Sequence, residues 1–364
     1  MKIKAAVVRE KSGPFIIEDV ELDDPRDDEV LVRIAGSGLC HTDLVARDGF
    51  MPILIPAVLG HEGAGVVEKV GNRVTKVRPG DHVVMSFRSC GACTSCMKGL
   101  PANCLDFFKY NFAGVRADGT PTMKKDGKTV HAAFFSQSSF ASHALAAERN
   151  VVKVDNDVPI DLLGPLGCGI QTGAGGVMNS LRARAGSSIA IFGAGSVGLS
   201  AIMAAVAVGC TTVIAVDING ERLGMAQKLG ATHVVDSGQV DPVEAIQRVT
   251  GGGVQYSLEC TGLPKVFRQS VDALAMPGVC GLIGVAPFGV EVSLDMQTIL
   301  NGRTVRGIVE GDSIPDIFIP QLIELYKQGR FPFDRMIKFY PFDQINQAAD
   351  DSEKGRTLKA VLRP

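Results

Sequence analysis

The sequence contains no block of like charge. Its 364 residues include 37 Lys or Arg against 39 Asp or Glu, which gives a net charge of −2. Without a basic patch, the chain has little electrostatic attraction for the phosphates of a nucleic acid or for an anionic membrane surface. We therefore expect a small-molecule ligand, with no nucleic acid and no membrane among its partners.

A secretory signal and an uninterrupted membrane span are also missing. The first eleven residues, MKIKAAVVREK, carry five charges and no apolar stretch. Residues 185–216 are uncharged, and about 20 apolar residues suffice to cross a bilayer. However, Gly193, Gly195 and Gly198 interrupt this stretch, which predicts a buried strand, a turn and a buried helix. We expect a cytoplasmic protein.

No internal repeat or flexible linker divides the chain, but its pattern changes near residue 170. Residues 1–170 show short β-rich runs between turns, which predict a mostly β unit. Residues 171–308 alternate strand and helix patterns, which predict a doubly wound parallel α/β sheet. Residues 309–364 end in an apolar run that suits a strand returning to the first unit. The predicted domains are therefore residues 1–170 with 309–364, and residues 171–308.

A glycine-rich turn lies between the first predicted strand and helix of the second domain. Its sequence is Gly193-Ala-Gly195-Ser-Val197-Gly198, and Asp217 ends the next strand. These glycines allow a tight turn, the approach of a pyrophosphate, and close packing of helix on strand. The helix N-terminus favours negative charge. Asp217 would bind ribose hydroxyls and repel a 2′-phosphate, which predicts NAD rather than NADP.

Four of the nine cysteines lie within fifteen residues, as Cys90-x2-Cys93-x2-Cys96-x7-Cys104. Reduced thiols are expected in a chain without a secretory signal. Four thiolates with no open position form the usual structural zinc site. An iron–sulfur cluster is the alternative, although ferredoxins place their fourth cysteine at other spacings. The sequence favours zinc.

Other cysteines and one histidine lie in separate glycine-flanked turns. These are Cys40 in GSGLCHTD, His61 with Glu62 in LGHEGAG, and Cys168 in GCGIQTG. Two thiolates and one imidazole would leave a tetrahedral zinc with one open position, as in catalytic sites. Taken singly, each residue is more often part of a core, and spacing alone does not join them. We expect Cys210, Cys260 and Cys280 to lie in the core.

The order of these motifs resembles that of the zinc-dependent medium-chain alcohol dehydrogenases over nearly the whole chain. The motifs that carry the resemblance are GLCHTD, GHEGAG, the four-cysteine lobe, GCGIQTG, GAGSVG and VDIN. Within this family, FFKYNFAG and HAAFFSQSSFASHAL are similar to segments of bacterial aryl-alcohol (benzyl alcohol) dehydrogenases and related terpenoid-alcohol enzymes. The implied fold is a GroES-like catalytic domain, with a structural zinc lobe at 90–104, into which a Rossmann NAD-binding domain is inserted.

The resemblance also implies two zinc ions per chain. Cys40, His61 and Cys168 would bind the catalytic ion, with Glu62 able to exchange as a ligand, and Asp43 would orient His61. Cys90, Cys93, Cys96 and Cys104 would bind the structural ion. Thr42 would accept the proton of the substrate hydroxyl. A histidine continues this proton relay in liver-type relatives, but Val45 occupies its position. Either the cofactor ribose releases the proton directly to water, which we favour, or His41 accepts it.

The implied NAD contacts extend beyond the glycine turn. His41 and Arg356 would meet the pyrophosphate, Thr172 the nicotinamide, and Arg222 the adenosine ribose, beside Gly193, Gly195, Val197, Gly198 and Asp217.

The resemblance implies reversible oxidation of a primary alcohol to an aldehyde, with an aryl or allylic alcohol such as benzyl alcohol as substrate. The alternatives are a geraniol-like terpenoid-alcohol dehydrogenase and a glutathione-dependent formaldehyde dehydrogenase. A zinc-free quinone reductase or a non-enzymatic protein of the same fold disagrees with the two ligand sets. We expect a homotetramer built from dimers, or a dimer, formed through the last strands of the cofactor domain.

Overall fold

The computed structural model describes all 364 residues. The strands are β1 (Lys2–Val8), β2 (Phe15–Leu22), β3 (Glu29–Gly38), β4 (Ala57–Val58), β5 (Glu62–Val70), β6 (His82–Met85), β7 (Met123–Lys125), β8 (Lys128–Val130), β9 (His143–Ala147), β10 (Val151–Val154), β11 (Ser188–Phe192), β12 (Thr212–Asp217), β13 (His233–Asp236), β14 (Val254–Glu259), β15 (Leu274–Leu282), β16 (Arg303–Gly307), β17 (Ile337–Pro341) and β18 (Lys359–Arg363).

The α-helices are mostly short. They are α1 (His41–Arg47), α2 (Thr94–Met97), α3 (Phe107–Phe112), α4 (Gly169–Gly175), α5 (Ser196–Ala207), α6 (Gly220–Lys228), α7 (Pro242–Thr250), α8 (Pro264–Asp272), α9 (Met296–Leu300), α10 (Pro315–Lys327) and α11 (Ile345–Glu353). A π-helical turn, Gly176–Ser180, follows α4. No helix combines the length and the apolar character that crossing a bilayer requires.

The chain folds into two compact units. The first comprises Met1–Cys168, Ile314–Pro320 and Asp334–Pro364, and the second comprises Gly169–Ser313 and Gln321–Phe333. The sequence-based division assigned all of 309–364 to the first domain, whereas 309–313 and 321–333 group with the second unit. One physical reason is that Arg330 donates a hydrogen bond to the carbonyl of Ala207 at 2.8 Å.

Two sheets form the first unit. One has the order β4-β1-β2-β7-β8, and the other has the order β10-β6-β5-β3-β18-β17, with β9 also paired to β3. Strand β18 pairs antiparallel with β3 at Ser37 and Gly38 and parallel with β17. The last apolar run of the sequence therefore returns to the first unit, as predicted.

The second unit contains a parallel sheet with the order β13-β12-β11-β14-β15-β16. This is the strand order of a doubly wound dinucleotide-binding fold, in which ligands bind beyond the carboxyl ends of the strands. Residues 185–216 form β11, the glycine turn, α5 and β12. The predicted fold class is confirmed: a mostly β unit accompanies a Rossmann α/β unit.

Candidate active site and metal centres

The sulfurs of Cys90, Cys93, Cys96 and Cys104 lie within 4.8 Å of one another. Glycines at 91 and 99, both with φ of 76°, turn the backbone so that the loop wraps around this point. The Sγ atoms of Cys90 and Cys96 are 3.9 Å apart. Zinc–sulfur bonds of about 2.3 Å in a tetrahedron require a similar separation. The four-cysteine lobe therefore fits one zinc ion better than a cluster of several metal atoms.

Backbone amides stabilise the thiolate forms in this lobe. The amides of Ala92 and Cys93 donate to Cys90 Sγ at 3.4 and 3.2 Å. A hydrogen bond from the amide of Cys96 has the largest influence on the Cys93 thiol and lowers its pKa to about 6. The thiolate is the form that binds metal, so Cys90 and Cys93 are suited to metal binding, whereas burial raises the pKa of the Cys104 thiol to about 12.

The second group brings together Cys40, His61, Glu62 and Cys168, whose ligand atoms also lie within 4.8 Å of one another. Cys40 precedes α1, His61 and Glu62 lie at the start of β5, and Cys168 precedes α4. A hydrogen bond from the Cys168 thiol has the largest influence on the pKa of Cys40 and lowers it well below its ordinary value, against the opposing effect of burial. The three separate turns that sequence spacing could not join therefore meet at one point.

Asp43 fixes the imidazole of His61. Its Oδ1 lies 2.8 Å from His61 Nδ1 and accepts from the amide of Gly60 at 3.0 Å, while Oδ2 accepts from the amide of Cys40 at 2.9 Å. The other imidazole nitrogen, Nε2, is buried and has no hydrogen-bond partner. Buried polar atoms are rarely left unpaired. With Nδ1 donating to Asp43, the lone pair of Nε2 suits a metal ion, and the donor set of two thiols and one imidazole fits zinc.

Glu62 is paired with a residue that sequence reasoning did not identify. The ammonium of Lys359, in β18, lies 2.8 Å from both carboxylate oxygens of Glu62, and both side chains are buried. Burial raises the pKa of the Glu62 carboxyl. Burial would lower the pKa of the Lys359 ammonium, but the charge of Glu62 raises it above its ordinary value. The sequence feature that could have identified Lys359 is its position at the start of the otherwise apolar run KAVL.

Arg356, predicted to contact the pyrophosphate, lies between α11 and β18 in the first unit. Its guanidinium donates to Asp351 at 2.8 Å and to Asp350 at 2.5 Å, and its charge is therefore already balanced by two carboxylates. The basic side chain in contact with the second ligand group is Lys359.

The residues around the predicted proton acceptor lie on α1. Thr42 Oγ1 is 3.7 Å from Cys40 Sγ, which places the hydroxyl beside the second ligand group. Val45 is half-buried on the same helix, and His41 is exposed at its first position.

Aromatic rings cover the imidazole of His61. The ring of Phe135 stacks on it with centroids 4.4 Å apart, and the ring of Phe134 meets it edge-on at 5.5 Å. Phe135 also contacts the rings of Phe112 and Phe107 at 5.1 and 6.4 Å. These four rings, hereafter the ring cluster, form an apolar, water-excluding wall beside a polar ligand group.

The glycine turn of the second unit has the conformation that its sequence predicts. Gly193 has φ of 93°. A Cβ on Gly198 would lie 1.8 Å from the carbonyl oxygen of Gly193, whereas a Cβ on Gly195 would meet nothing within 4 Å. Gly195 precedes α5 and provides no side-chain cap. The first amides of α5 are thus available for a pyrophosphate.

Asp217 organises this turn as well as ending β12. Its Oδ2 accepts from the amide of Ala194 at 2.6 Å, and its Oδ1 accepts from the amides of Ile218 and Asn219 at 2.8 and 2.9 Å. Arg222, in the first turn of α6, keeps a buried Nε without a hydrogen-bond partner.

Two other predicted cofactor contacts lie on neighbouring elements of this unit. Thr172, in α4, donates to Glu310 at 3.3 Å. The backbone carbonyl oxygen of Val197, in α5, packs against Gly173. A Cβ on residue 173 would lie 2.0 Å from that oxygen.

Of the three cysteines expected in the core, Cys210 and Cys280 are buried and Cys260 is half-buried.

Comparison with known proteins identifies relatives that span the whole chain. Residues 26–156 match the alcohol dehydrogenase GroES-like domain, and residues 196–328 match the zinc-binding dehydrogenase family. A geraniol dehydrogenase of Castellaniella defragrans is 48% identical over 362 residues, which cover 99% of this chain and 97% of that protein.

Two crystal structures are also similar. An alcohol dehydrogenase zinc-binding domain protein from Burkholderia ambifaria is 56% identical with a TM-score of 0.99, and the match covers 100% of this chain and 99% of that one. A benzyl alcohol dehydrogenase from Acinetobacter calcoaceticus is 49% identical with a TM-score of 0.97, with the same coverage. With its two cysteine-based ligand groups and its dinucleotide fold, this chain belongs to the zinc-dependent medium-chain alcohol dehydrogenases, oxidoreductases that use zinc and a nicotinamide dinucleotide.

Proposed function

We propose that this enzyme oxidises primary alcohols whose carbinol carbon is attached to an aromatic ring or a C=C bond, producing the aldehyde and NADH. The observation that carries the substrate class is the position of the ring cluster on His61, with Phe135 stacked on the imidazole at 4.4 Å. Flat unsaturated groups pack well against aromatic rings. Two of the relatives are named for geraniol and benzyl alcohol. In both alcohols the carbinol carbon is attached to an unsaturated carbon.

Each part of the site has a role in this proposal. Cys40, His61 and Cys168 hold the catalytic zinc, and Asp43 keeps the His61 ring in the tautomer that leaves Nε2 free. When bound, the metal would supply a positive charge that lowers the pKa of the alcohol hydroxyl, and the dinucleotide would supply the hydride acceptor. Thr42, 3.7 Å from Cys40 Sγ, relays the proton of the substrate hydroxyl: as its oxygen accepts that proton, its own hydroxyl proton passes on towards water. The aldehyde, NADH and one proton are the products.

Four thiolates, Cys90, Cys93, Cys96 and Cys104, hold a second zinc whose role is structural. They leave no open position for a substrate. This assignment gives two zinc ions per chain.

Glu62 differs from Asp43, the other carboxylate beside these ligands, because both of its oxygens are held by the ammonium of Lys359. In this proposal Glu62 is a reserve ligand that reaches the metal only when it leaves Lys359.

The dinucleotide is proposed to be NAD rather than NADP. Asp217 is 8% exposed and already holds three backbone amides, so it has no freedom to move away from a 2′-phosphate. The pyrophosphate binds the first turn of α5, and Thr172 and Arg222 contact the nicotinamide and the adenosine ribose. His41 also contacts the pyrophosphate in this proposal.

The oligomer is proposed to form along β16. This strand lies at one edge of the six-stranded sheet, and an unpaired edge can pair with a second copy of itself. A dimer formed in this way, or a tetramer of two such dimers, removes the exposed edge.

The test compares matched alcohols in the purified enzyme. We expect kcat/KM for benzyl alcohol, cinnamyl alcohol or geraniol to exceed the values for ethanol and for cyclohexylmethanol, the saturated match of benzyl alcohol. Formation of NADH at 340 nm is the measurement. A higher kcat/KM for ethanol or cyclohexylmethanol would refute the unsaturated-substrate class. Turnover of S-hydroxymethylglutathione above that of benzyl alcohol would indicate a formaldehyde-oxidising enzyme instead.

A further inference from the structure

The segment Phe135–Ser138 has an unusual backbone. Phe135, Ser136 and Ser138 have φ values of 49°, 52° and 51°, a left-handed region that residues with a Cβ rarely adopt. All three are buried. Such conformations persist only where the surrounding contacts hold them. The contacts of this segment therefore show which side chains the strained backbone positions.

Two residues of this segment contact the same metal-ligand residue from different sides. Phe135 stacks its ring on the imidazole of His61. Gln137, which is fully buried, donates through Nε2 to the backbone carbonyl of His61 at 2.9 Å and accepts through Oε1 from the amide of Gly63 at 3.1 Å. A carbonyl only accepts and an amide N–H only donates, so these partners fix the orientation of the Gln137 side chain.

The amide of Gln137 takes the place of a missing β-ladder. Strand β6 pairs with β5 at Ala64, Gly65 and Val66 and ends at Met85, so no strand on this side reaches His61 and Gly63. The side-chain amide supplies the donor and the acceptor that a continued β6 would have supplied. Gly63 permits this contact, because a Cβ there would lie 2.5 Å from Met85 Cε and 2.6 Å from Ser139 Cβ.

The same amide reaches a second ligand segment through Ser86. Gln137 Nε2 lies 3.4 Å from the carbonyl oxygen of Ser86, and the Ser86 hydroxyl donates to the carbonyl of Gly167 at 2.6 Å. Gly167 directly precedes Cys168, and a Cβ on it would lie 2.1 Å from the Met85 carbonyl oxygen. A buried chain of hydrogen bonds therefore runs from the backbone of His61, through Gln137 and Ser86, to the residue before Cys168.

We propose that Gln137 is a positioning residue for the catalytic zinc: its buried amide, together with Ser86, sets the spacing between the His61 and Cys168 ligand segments. Asp43 orients the imidazole ring, whereas Gln137 fixes the backbone that carries it. This inference rests on the proposed function, because it assumes that His61 and Cys168 bind zinc. The left-handed backbone of residues 135–138 brings both the Phe135 ring and the Gln137 side-chain amide into contact with His61.

The test uses Gln137→Met, which keeps the length and volume of the side chain and removes both hydrogen-bonding groups. Loss of a residue that supports a metal ligand usually reduces metal affinity about 10- to 100-fold. We expect Gln137→Met to release the catalytic zinc to a competing chelator at least tenfold faster, while release of the structural zinc stays at the wild-type rate. With Co²⁺ in the catalytic site, the ligand-field bands of the visible spectrum should shift.

Two controls separate positioning from a general loss of stability. Asn346→Leu removes an amide that holds both backbone groups of Phe15 at 2.9 Å, and neither residue belongs to a ligand group. Ser257→Ala removes a buried hydroxyl that donates to a backbone carbonyl at 2.7 Å, matching Ser86→Ala. Neither control should change zinc release or the Co²⁺ spectrum, even where it lowers Tm.

A lower Tm for Gln137→Met with wild-type zinc release and an unchanged Co²⁺ spectrum would overturn the proposal, because Gln137 would then be structural only. If Gln137→Met does not fold, Ser86→Ala decides: release at least threefold faster than wild type supports the proposal, and wild-type release overturns it. Failure of the proposed function would be visible in the wild-type protein, as a single zinc per chain or as no oxidation of any alcohol.

Discussion

Lys359 and Glu62 form an ion pair that water does not reach: the ammonium is 2.8 Å from each carboxylate oxygen, and the side chains are 2% and 0% exposed. Removing one partner of such a pair costs about 3–5 kcal/mol, because the other charge is left buried. We expect Lys359→Met to lower the free energy of unfolding by about this amount, and Glu62→Gln/Lys359→Met to lower it less. Urea unfolding with zinc present measures both.

A control for this prediction is Lys338→Met, which breaks an ion pair with Asp351 whose lysine is 56% exposed. Exposed pairs contribute about 0–1 kcal/mol. Equal losses in the single and double variants would show that an uncompensated Glu62 charge is not the cause.

Cys96→Ser should separate the two metal centres. The wild type is expected to contain two zinc ions per chain, and Cys96→Ser one, with a lower Tm because the 90–104 loop loses its closure. Mild chelation of the wild type should instead abolish activity while leaving the folded state. Metal analysis and circular dichroism are the measurements. Cys210→Ser, a buried cysteine outside both groups, should retain two ions. One zinc in the wild type, or iron, would refute the two-site assignment.

Asp217→Gly should raise the use of NADP relative to NAD. The substitution removes the negative charge that opposes a 2′-phosphate, and each tenfold change in the ratio of kcat/KM values corresponds to about 1.4 kcal/mol. It also removes the acceptors of the Ala194, Ile218 and Asn219 amides, so Tm should fall. Asp236→Asn, at the end of the neighbouring strand β13, is the control. A wild type equally efficient with both dinucleotides would contradict the assignment of Asp217.

Thr42→Ala should slow alcohol oxidation by about 10²- to 10⁴-fold, the usual cost of losing a group that transfers a proton. Thr42→Ser keeps the hydroxyl and should retain most of the rate. Stopped-flow formation of NADH reports the step, and zinc content should equal that of the wild type in both variants. An unchanged rate in Thr42→Ala would mean that the proton leaves by another route.

Glu18→Gln should destabilise the protein near neutral pH and have less effect in acid. The Arg9 guanidinium, which donates to Glu18 at 2.5 and 2.6 Å, has the largest influence on this carboxyl, and the pKa is lowered to about 2. A lowered folded-state pKa gives stability that is present above the unfolded pKa and is lost as pH falls through the folded pKa. The difference between wild type and variant should therefore shrink between about pH 4.5 and pH 2.

Denaturant midpoints at pH 7 and pH 3 measure this difference, and any loss of zinc in acid affects both proteins alike. Asp19→Asn removes an adjacent carboxylate whose pair with Lys4 is exposed, and it should change little at either pH. An equal cost of Glu18→Gln at both pH values would show that ionisation of Glu18 is not responsible.

Local patterns in the sequence were sufficient to predict several parts of the molecule. The alternation of strand and helix from Ser188 to Gly307 appears in the sheet as predicted, because each element carries its own periodicity and turn residues. The four cysteines from Cys90 to Cys104 are close in the chain, so their spacing alone predicts that they meet.

Contacts between distant residues could not be predicted in this way. Lys359 and Glu62 are 297 residues apart, and no local pattern pairs them. Cys40, His61 and Cys168 were joined only through resemblance to a family. The left-handed backbone at Phe135, Ser136 and Ser138 is not evident either, because residues other than glycine adopt it only when tertiary contacts impose it.

The position of β18 affects the order in which a ribosome can complete the molecule. All residues of the second unit, through Phe333, are synthesised before Lys359–Arg363. Until those five residues emerge, the nascent first unit lacks the strand that pairs with Ser37 and Gly38, and Glu62 lacks its cation. Incomplete domains with open strand edges are prone to aggregation and are bound by chaperones. All residues of the cofactor-binding half therefore precede β18 in the chain, whereas the half that holds both metal-ligand groups is completed only when Lys359–Arg363 have been synthesised.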